Sequence, residues 1–87
     1  MGIQNDAGEL LLLIYDELIK KGKSSIGTQD VLNNTKWDGK RLGFAYNYLS
    51  DLEILKCGGS IGSVSGAPLF FIYGIYPKGI NIVVNVP

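Results

Sequence analysis

Apolar side chains recur at three- and four-residue spacing at the start of the chain. Ala7, Leu10, Leu11, Ile14 and Leu18 fall on one side of a helix running from Gly8 to Lys21, and Gly22 supplies a C-terminal stop. A second stripe, Leu12, Tyr15 and Ile19, faces elsewhere; it lies either under the C-terminal tail or in the seam of a homodimer. Beyond a turn over Lys21 to Ser25, Ile26 places one apolar side chain in a short strand. Thr28 offers an N-cap for a short helix that carries Val31 and Leu32 and ends near Asn33 and Asn34. Asp38 is the N-cap of the third and best-defined helix, in which Leu42, Ala45, Tyr46, Leu49 and Leu52 keep one apolar face down to about Glu53.

The period then changes. Ile54 to Cys57 reads as a short strand, and Gly58, Gly59, Gly62 and Gly66 as a flexible loop. Leu69 to Tyr76, rich in aromatic and β-branched residues, reads as the returning strand of a hairpin. In the tail, Ile80, Ile82, Val84 and Val86 alternate with Asn81, Val83 and Asn85, which is strand period; a short helix starting at Pro77 competes, because proline suits a first helical turn. The expectation is an α+β fold: three helices and a small antiparallel sheet in a single domain over residues 1–87.

Composition narrows the chemistry. With 46% hydrophobic and 18% charged residues, the chain has the make-up of a folded domain rather than a disordered one. Eight basic residues balance eight acidic ones, so no global field draws the protein to nucleic acid or an anionic membrane. Seven of the eight basic residues precede position 57, and Cys57 to Pro77 contains no Asp, Glu, Lys or Arg, so phosphate contacts must come mainly from the helical half. Without histidine, and with Cys57 as the lone cysteine, a structural zinc site, a His-based catalytic site and an internal disulfide are excluded. Asp6 and Glu9 sit where a signal peptide would be neutral or positive, which points to the cytoplasm. The apolar run Leu69 to Tyr76 is too short to span a bilayer as a helix.

Gly22-Lys23-Ser24 echoes the end of a phosphate-binding loop, but the first glycine of that motif would fall at Glu17 within a helix. No Ser, Cys or carboxylate pair lies in a catalytic motif, so the chain reads as a non-enzyme without a cofactor.

Two local stretches carry a family likeness. Leu49-Ser50-Asp51-Leu52-Glu53-Ile54-Leu55 matches a third helix ending in leucine, polar residues and a pair of apolar residues. Ile75-Tyr76-Pro77-Lys78-Gly79-Ile80 matches a strand closing in apolar, polar, Pro, basic, Gly, apolar order. With the order of elements, these make the chain similar to the winged helix-turn-helix superfamily of bacterial and archaeal regulators, over roughly residues 8 to 82. It departs from that pattern where Glu53 stands in place of a glycine, and in the stretch Gly58 to Pro68, which lacks the Arg or Lys common in DNA-touching wings.

The resemblance implies a transcriptional regulator, dimeric on DNA, that places the helix after Trp37 in the major groove of double-stranded DNA. At about 100° per residue, Lys40, Phe44, Asn47 and Asp51 lie opposite the apolar face, flanked by Arg41 and Tyr48. Lys40 and Arg41 can donate to guanine or phosphate, Asn47 can pair with adenine, and Phe44 can meet a thymine methyl. Lys36 and Thr28 would hold phosphates, while Gly39 and Gly43 leave the face low for close approach. Trp37 anchors the turn as a hydrophobic staple. The alternative is a winged-helix module that binds protein instead, through Phe44, Tyr48 and the uncharged hairpin.

Overall fold

The computed structural model describes residues 5–64 and 66–84, apart from the side chains of residues 60, 61 and 64. Helix α1 (Asn5–Tyr15) buries Ala7, Leu10, Leu11 and Ile14 and continues into a π-helical segment, Asp16–Lys20. There the Lys21 N–H reaches back five residues to the Asp16 carbonyl (3.0 Å), and the Lys23 N–H reaches the Glu17 carbonyl (3.1 Å). Gly22, at φ +72°, turns the chain out of the helix. The wider turn puts Glu17 on the buried side, where it is 1% exposed, and Lys21 and Lys23 each bring an ammonium to 2.6 Å of its carboxylate. Those two partners hold the Glu17 carboxyl below its ordinary range.

Strand β1 (Ile26–Gly27) leads directly into α2 (Thr28–Thr35), three residues of turn follow, and then comes α3 (Gly39–Asp51). The cap of α2 is Gly27, not Thr28 as the sequence suggests, and the Gly27 N–H donates to the Asp30 carboxylate at 3.1 Å. Thr28 is drawn inward because β3 (Ala67–Ile75) passes beside it. Its hydroxyl donates to the Pro68 carbonyl and accepts from the Phe70 N–H, both at 2.8 Å. A single hydroxyl thus satisfies a donor and an acceptor that would otherwise be buried unpaired. Helix α2 runs slightly past the expected asparagines because Thr35 bonds back to the Val31 carbonyl (2.8 Å), and Lys36 in the left-handed region closes it. Asp38 caps α3 as expected, accepting from the Arg41 N–H at 2.8 Å.

At the far end of α3, Glu53 has φ +56°, the conformation that glycine adopts most cheaply. A glutamate thus takes the left-handed position at the departure from the expected glycine.

Strands β2 (Leu55–Val64) and β3 form an antiparallel hairpin, and β1 pairs with the other edge of β3, giving the order β1-β3-β2. The expected flexible loop is instead largely strand. Gly58 and Gly59 pair with Phe71 and Phe70, and Ser63 with Pro68, across register shifts on either side. The β3 backbone offers those glycines hydrogen-bond partners that a loop would have to seek in water. Phe70, Ile72 and Ile75 face the helices, while Phe71 and Tyr73 point outward.

As far as Val84 the tail is a fourth helix, α4 (Pro77–Val84), the second of the two readings and one helix more than the three expected; Asn85 and Val86 lie outside the described residues. Pro77 sits in the first turn, the Tyr76 carbonyl accepts from the Gly79 and Ile80 N–H groups (2.8 and 3.1 Å), and the Tyr76 N–H donates to the Ile54 carbonyl (2.7 Å). Gly79 permits this docking, since a Cβ there would lie 2.4 Å from Ile54 Cγ2 and 2.6 Å from Ile75 Cγ2. The described part of the tail packs against α1, and Tyr15 lies against the core, but Leu12 and Ile19 remain 47% and 51% exposed. The tail as far as Val84 therefore leaves Leu12 and Ile19 of that stripe open. Among the described residues, no helix is long and apolar enough to cross a membrane.

Relieving the left-handed strain at Glu53 gives a direct test of the turn after α3. Glu53→Gly should raise stability by about 0.5–1 kcal/mol, or about 2–8 °C in Tm, and Glu53→Ala should give no comparable gain in a thermal melt.

Candidate nucleic-acid interface

Helix α3 is amphipathic in a way that sorts its side chains by direction. Leu42, Ala45 and Leu49 are 0% exposed and belong to the same core as Leu10, Leu11 and Ile14 of α1 and Phe70 and Ile72 of β3. Tyr46 stacks on Phe70 with ring centroids 4.1 Å apart and an interplanar angle of 4°, and its hydroxyl lies 3.3 Å from Cys57 Sγ. Burial, reinforced by Cys57, pushes the Tyr46 hydroxyl well above its ordinary range, so it stays protonated and structural.

The opposite side carries Lys40, Phe44 and Asn47, all exposed, with Phe44 at 66%. Lys40 and Asn47 form no ion pair or side-chain hydrogen bond among the described residues. Phe44, Asn47, half-buried Tyr48 and Asp51 line a shallow hollow of about 280 Å³ on this side. Lys36 is also exposed, at the turn that precedes the helix.

Of the residues expected at the interface, Thr28, Gly39 and Arg41 stand differently, and so does Gly43, expected to leave the face low. Thr28 is 2% exposed with its hydroxyl engaged by β3, so it is not a phosphate ligand. Gly39 is buried, and so is Gly43, which faces Pro68, where a Cβ would stand 3.3 Å from the ring; the small size of Gly43 serves internal packing rather than close approach by a ligand. Arg41 turns toward α1. Its Nε and Nη2 donate to the two carboxylate oxygens of Asp6 at 2.9 Å each, Glu9 lies 3.8 Å away, and the guanidinium sits 4.4 Å from the centroid of the Trp37 ring. The carboxylate fork occupies the Nε/Nη2 edge and the indole one face of the guanidinium, which turns that edge away from a guanine or phosphate on the outward side. Lys36, Lys40, Phe44 and Asn47 remain exposed and Tyr48 half-buried on this side, while Arg41, though exposed, is tied to Asp6.

Sequence reasoning missed one feature of this surface and one of the outer face of the sheet. The Asp6 partner of Arg41 lies 35 residues away, and no local pattern announces it. The outward pair Phe71 and Tyr73, 48% and 55% exposed with ring centroids 6.1 Å apart, was legible in the strand alternation around Phe70 and Ile72. Among the described residues, no group of three or more His, Cys, Asp or Glu is placed to hold a metal ion. No protein-family model matches the chain, and neither a curated protein nor a solved structure matches it.

The Asp6–Arg41 fork makes a pH-dependent prediction. Arg41 holds the Asp6 carboxyl below its ordinary value, so the tie contributes stability above that value and loses it as pH falls through the lowered one. Asp6→Asn and Arg41→Gln should each lower Tm at neutral pH, and the double variant should melt no lower than the worse single variant. In strongly acidic solution the parent and Asp6→Asn should melt together; equal melting at neutral pH as well would remove the tie from the account.

Proposed function

We propose that this chain is a winged-helix DNA-binding domain, acting in transcriptional regulation, that presents the outward side of α3 to the major groove of a duplex. The observation that carries the reading is the solvent-open row Lys40, Phe44, Asn47 on a helix whose opposite side is fully buried. The connectivity supports it: a strand between the first two helices, a three-residue turn between α2 and α3, and a hairpin with sheet order β1-β3-β2. A 13-residue helix is about 20 Å long and rises at its N-terminal half beside Lys36 and Lys40, the end from which such helices contact bases. Leu12 on α1 and Ile19 in the π-helical segment that follows, both exposed, are the residues through which a second copy would join on a two-fold operator.

The cation supply is small. The acidic partners of Arg41 remove one charge from this side, and the hairpin contributes none beyond Lys56. Affinity should therefore be modest and only weakly salt-dependent. A protein-binding role for the same surface is favoured by one observation, the 66% exposure of Phe44 beside Tyr48, because aromatic residues are enriched at protein contacts.

A gel-shift titration of the purified full chain against random-sequence duplex, repeated over a salt series, separates the two readings. DNA binding predicts a retained complex with a slope of log K against log salt of about −2, falling by about one in Lys40→Ala. Arg41→Ala, provided the fold is retained, should leave the slope close to that of the parent. No retained duplex at the lowest salt would contradict the DNA reading.

A further inference from the structure

The composition of the outward row favours one class of base pair over the other. A guanidinium read bidentately against guanine O6 and N7 is the commonest specific contact in a major groove, and Arg41 is the only arginine in the chain. That arginine pairs its Nε/Nη2 edge with Asp6 and stacks on Trp37, so this edge faces α1 instead of the reading side. The neighbouring Lys40 is a mobile point charge on a flexible stem, suited to phosphate and poorer in geometric discrimination.

What remains between Lys40 and the end of the helix is Phe44 and Asn47, both exposed and lining one hollow. A carboxamide matches the adenine N6 donor and N7 acceptor, and an apolar ring matches the thymine C5-methyl group. The pair stands three residues apart, which separates their Cβ atoms by about 5–6 Å on one face, less than two base-pair steps of about 3.4 Å. Asp51 could accept from a cytosine amine, but it lies seven residues beyond Phe44, about 10 Å along the axis, at the end that leaves the bases.

We infer that the site discriminates for A·T base pairs, with Asn47 on adenine and Phe44 on a thymine methyl of the same or the adjacent pair. This rests on the DNA-binding reading above and goes beyond it by naming the recognised base chemistry.

The test uses the full chain and duplexes with a randomised centre, the retained fraction being sequenced and the enriched duplex then remade with single-atom changes. The expected enrichment is an A·T step. Replacing thymine by uracil, which removes only the methyl group, should weaken binding by the parent about four-fold, the loss expected for one buried methyl, and should leave Phe44→Ala unaffected. Replacing adenine by 7-deazaadenine, which removes N7, should weaken the parent about ten-fold and leave Asn47→Ala unaffected. Retention without enrichment, enrichment of G·C steps, or indifference to both replacements overturns the inference while leaving DNA binding standing. Failure to retain any duplex overturns both.

Discussion

Burial of one side of α3 is the constraint from which the rest of the surface follows. Leu42, Ala45 and Leu49 have no solvent exposure, and burying a leucine-sized side chain contributes about 1.5–3 kcal/mol. Turning the helix by one residue, about 100°, would expose that row and drive charged or polar groups into a core with no partners for them. The same rotation that buries the leucines sends Tyr46 onto Phe70 and Arg41 toward Asp6, and leaves Lys40, Phe44 and Asn47 in water. The outward chemistry is thus a by-product of packing, and it changes only if the packing changes.

The ties around this helix come from distant parts of the chain. Asp6 holds it from the start of α1, Pro68 closes over Gly43, and Phe70 stacks beneath Tyr46. Thr28 joins the neighbouring α2 to the same stretch of β3 through its hydroxyl. Each of these ties connects the helices to the hairpin or the N-terminal helix, so the orientation of α3 is set by several weak restraints acting together. Arg41 is the instructive case: an exposed surface ion pair contributes little by itself. Its effect here is directional, since it moves a positive charge off the face where a phosphate or guanine would be sought.

The legible part of the fold was the part encoded by local chemistry. Asp38 before a run of apolar residues at helical spacing marks both the start and the buried side of α3, and the Phe70 to Tyr73 alternation marks a strand with two unlike faces. The tail was ambiguous because alternating isoleucines and valines suit a strand, and the helix is decided by Pro77, by Tyr76 accepting two N–H groups, and by the space that Gly79 leaves against Ile54 and Ile75. The glycines after Cys57 look like loop until β3 supplies them with a ladder. Glycine preference likewise hides the turn at Glu53, where a glutamate takes the left-handed conformation. Within the site, the open row was readable from helix periodicity. The withdrawal of Arg41 and Thr28 was not, because their partners lie 35 and about 40 residues away.

The central claim is that the Lys40–Phe44–Asn47 side of α3 is the surface that meets DNA. Amide chemical shifts of the isotopically labelled chain, followed residue by residue as a short duplex is added, address it most directly. The account predicts that the largest shifts fall on Lys36, Lys40, Phe44 and Asn47, with Phe71 and Tyr73 nearly unmoved. Shifts concentrated on α1 or on the outer face of the sheet, with the exposed row of α3 unchanged, would contradict it.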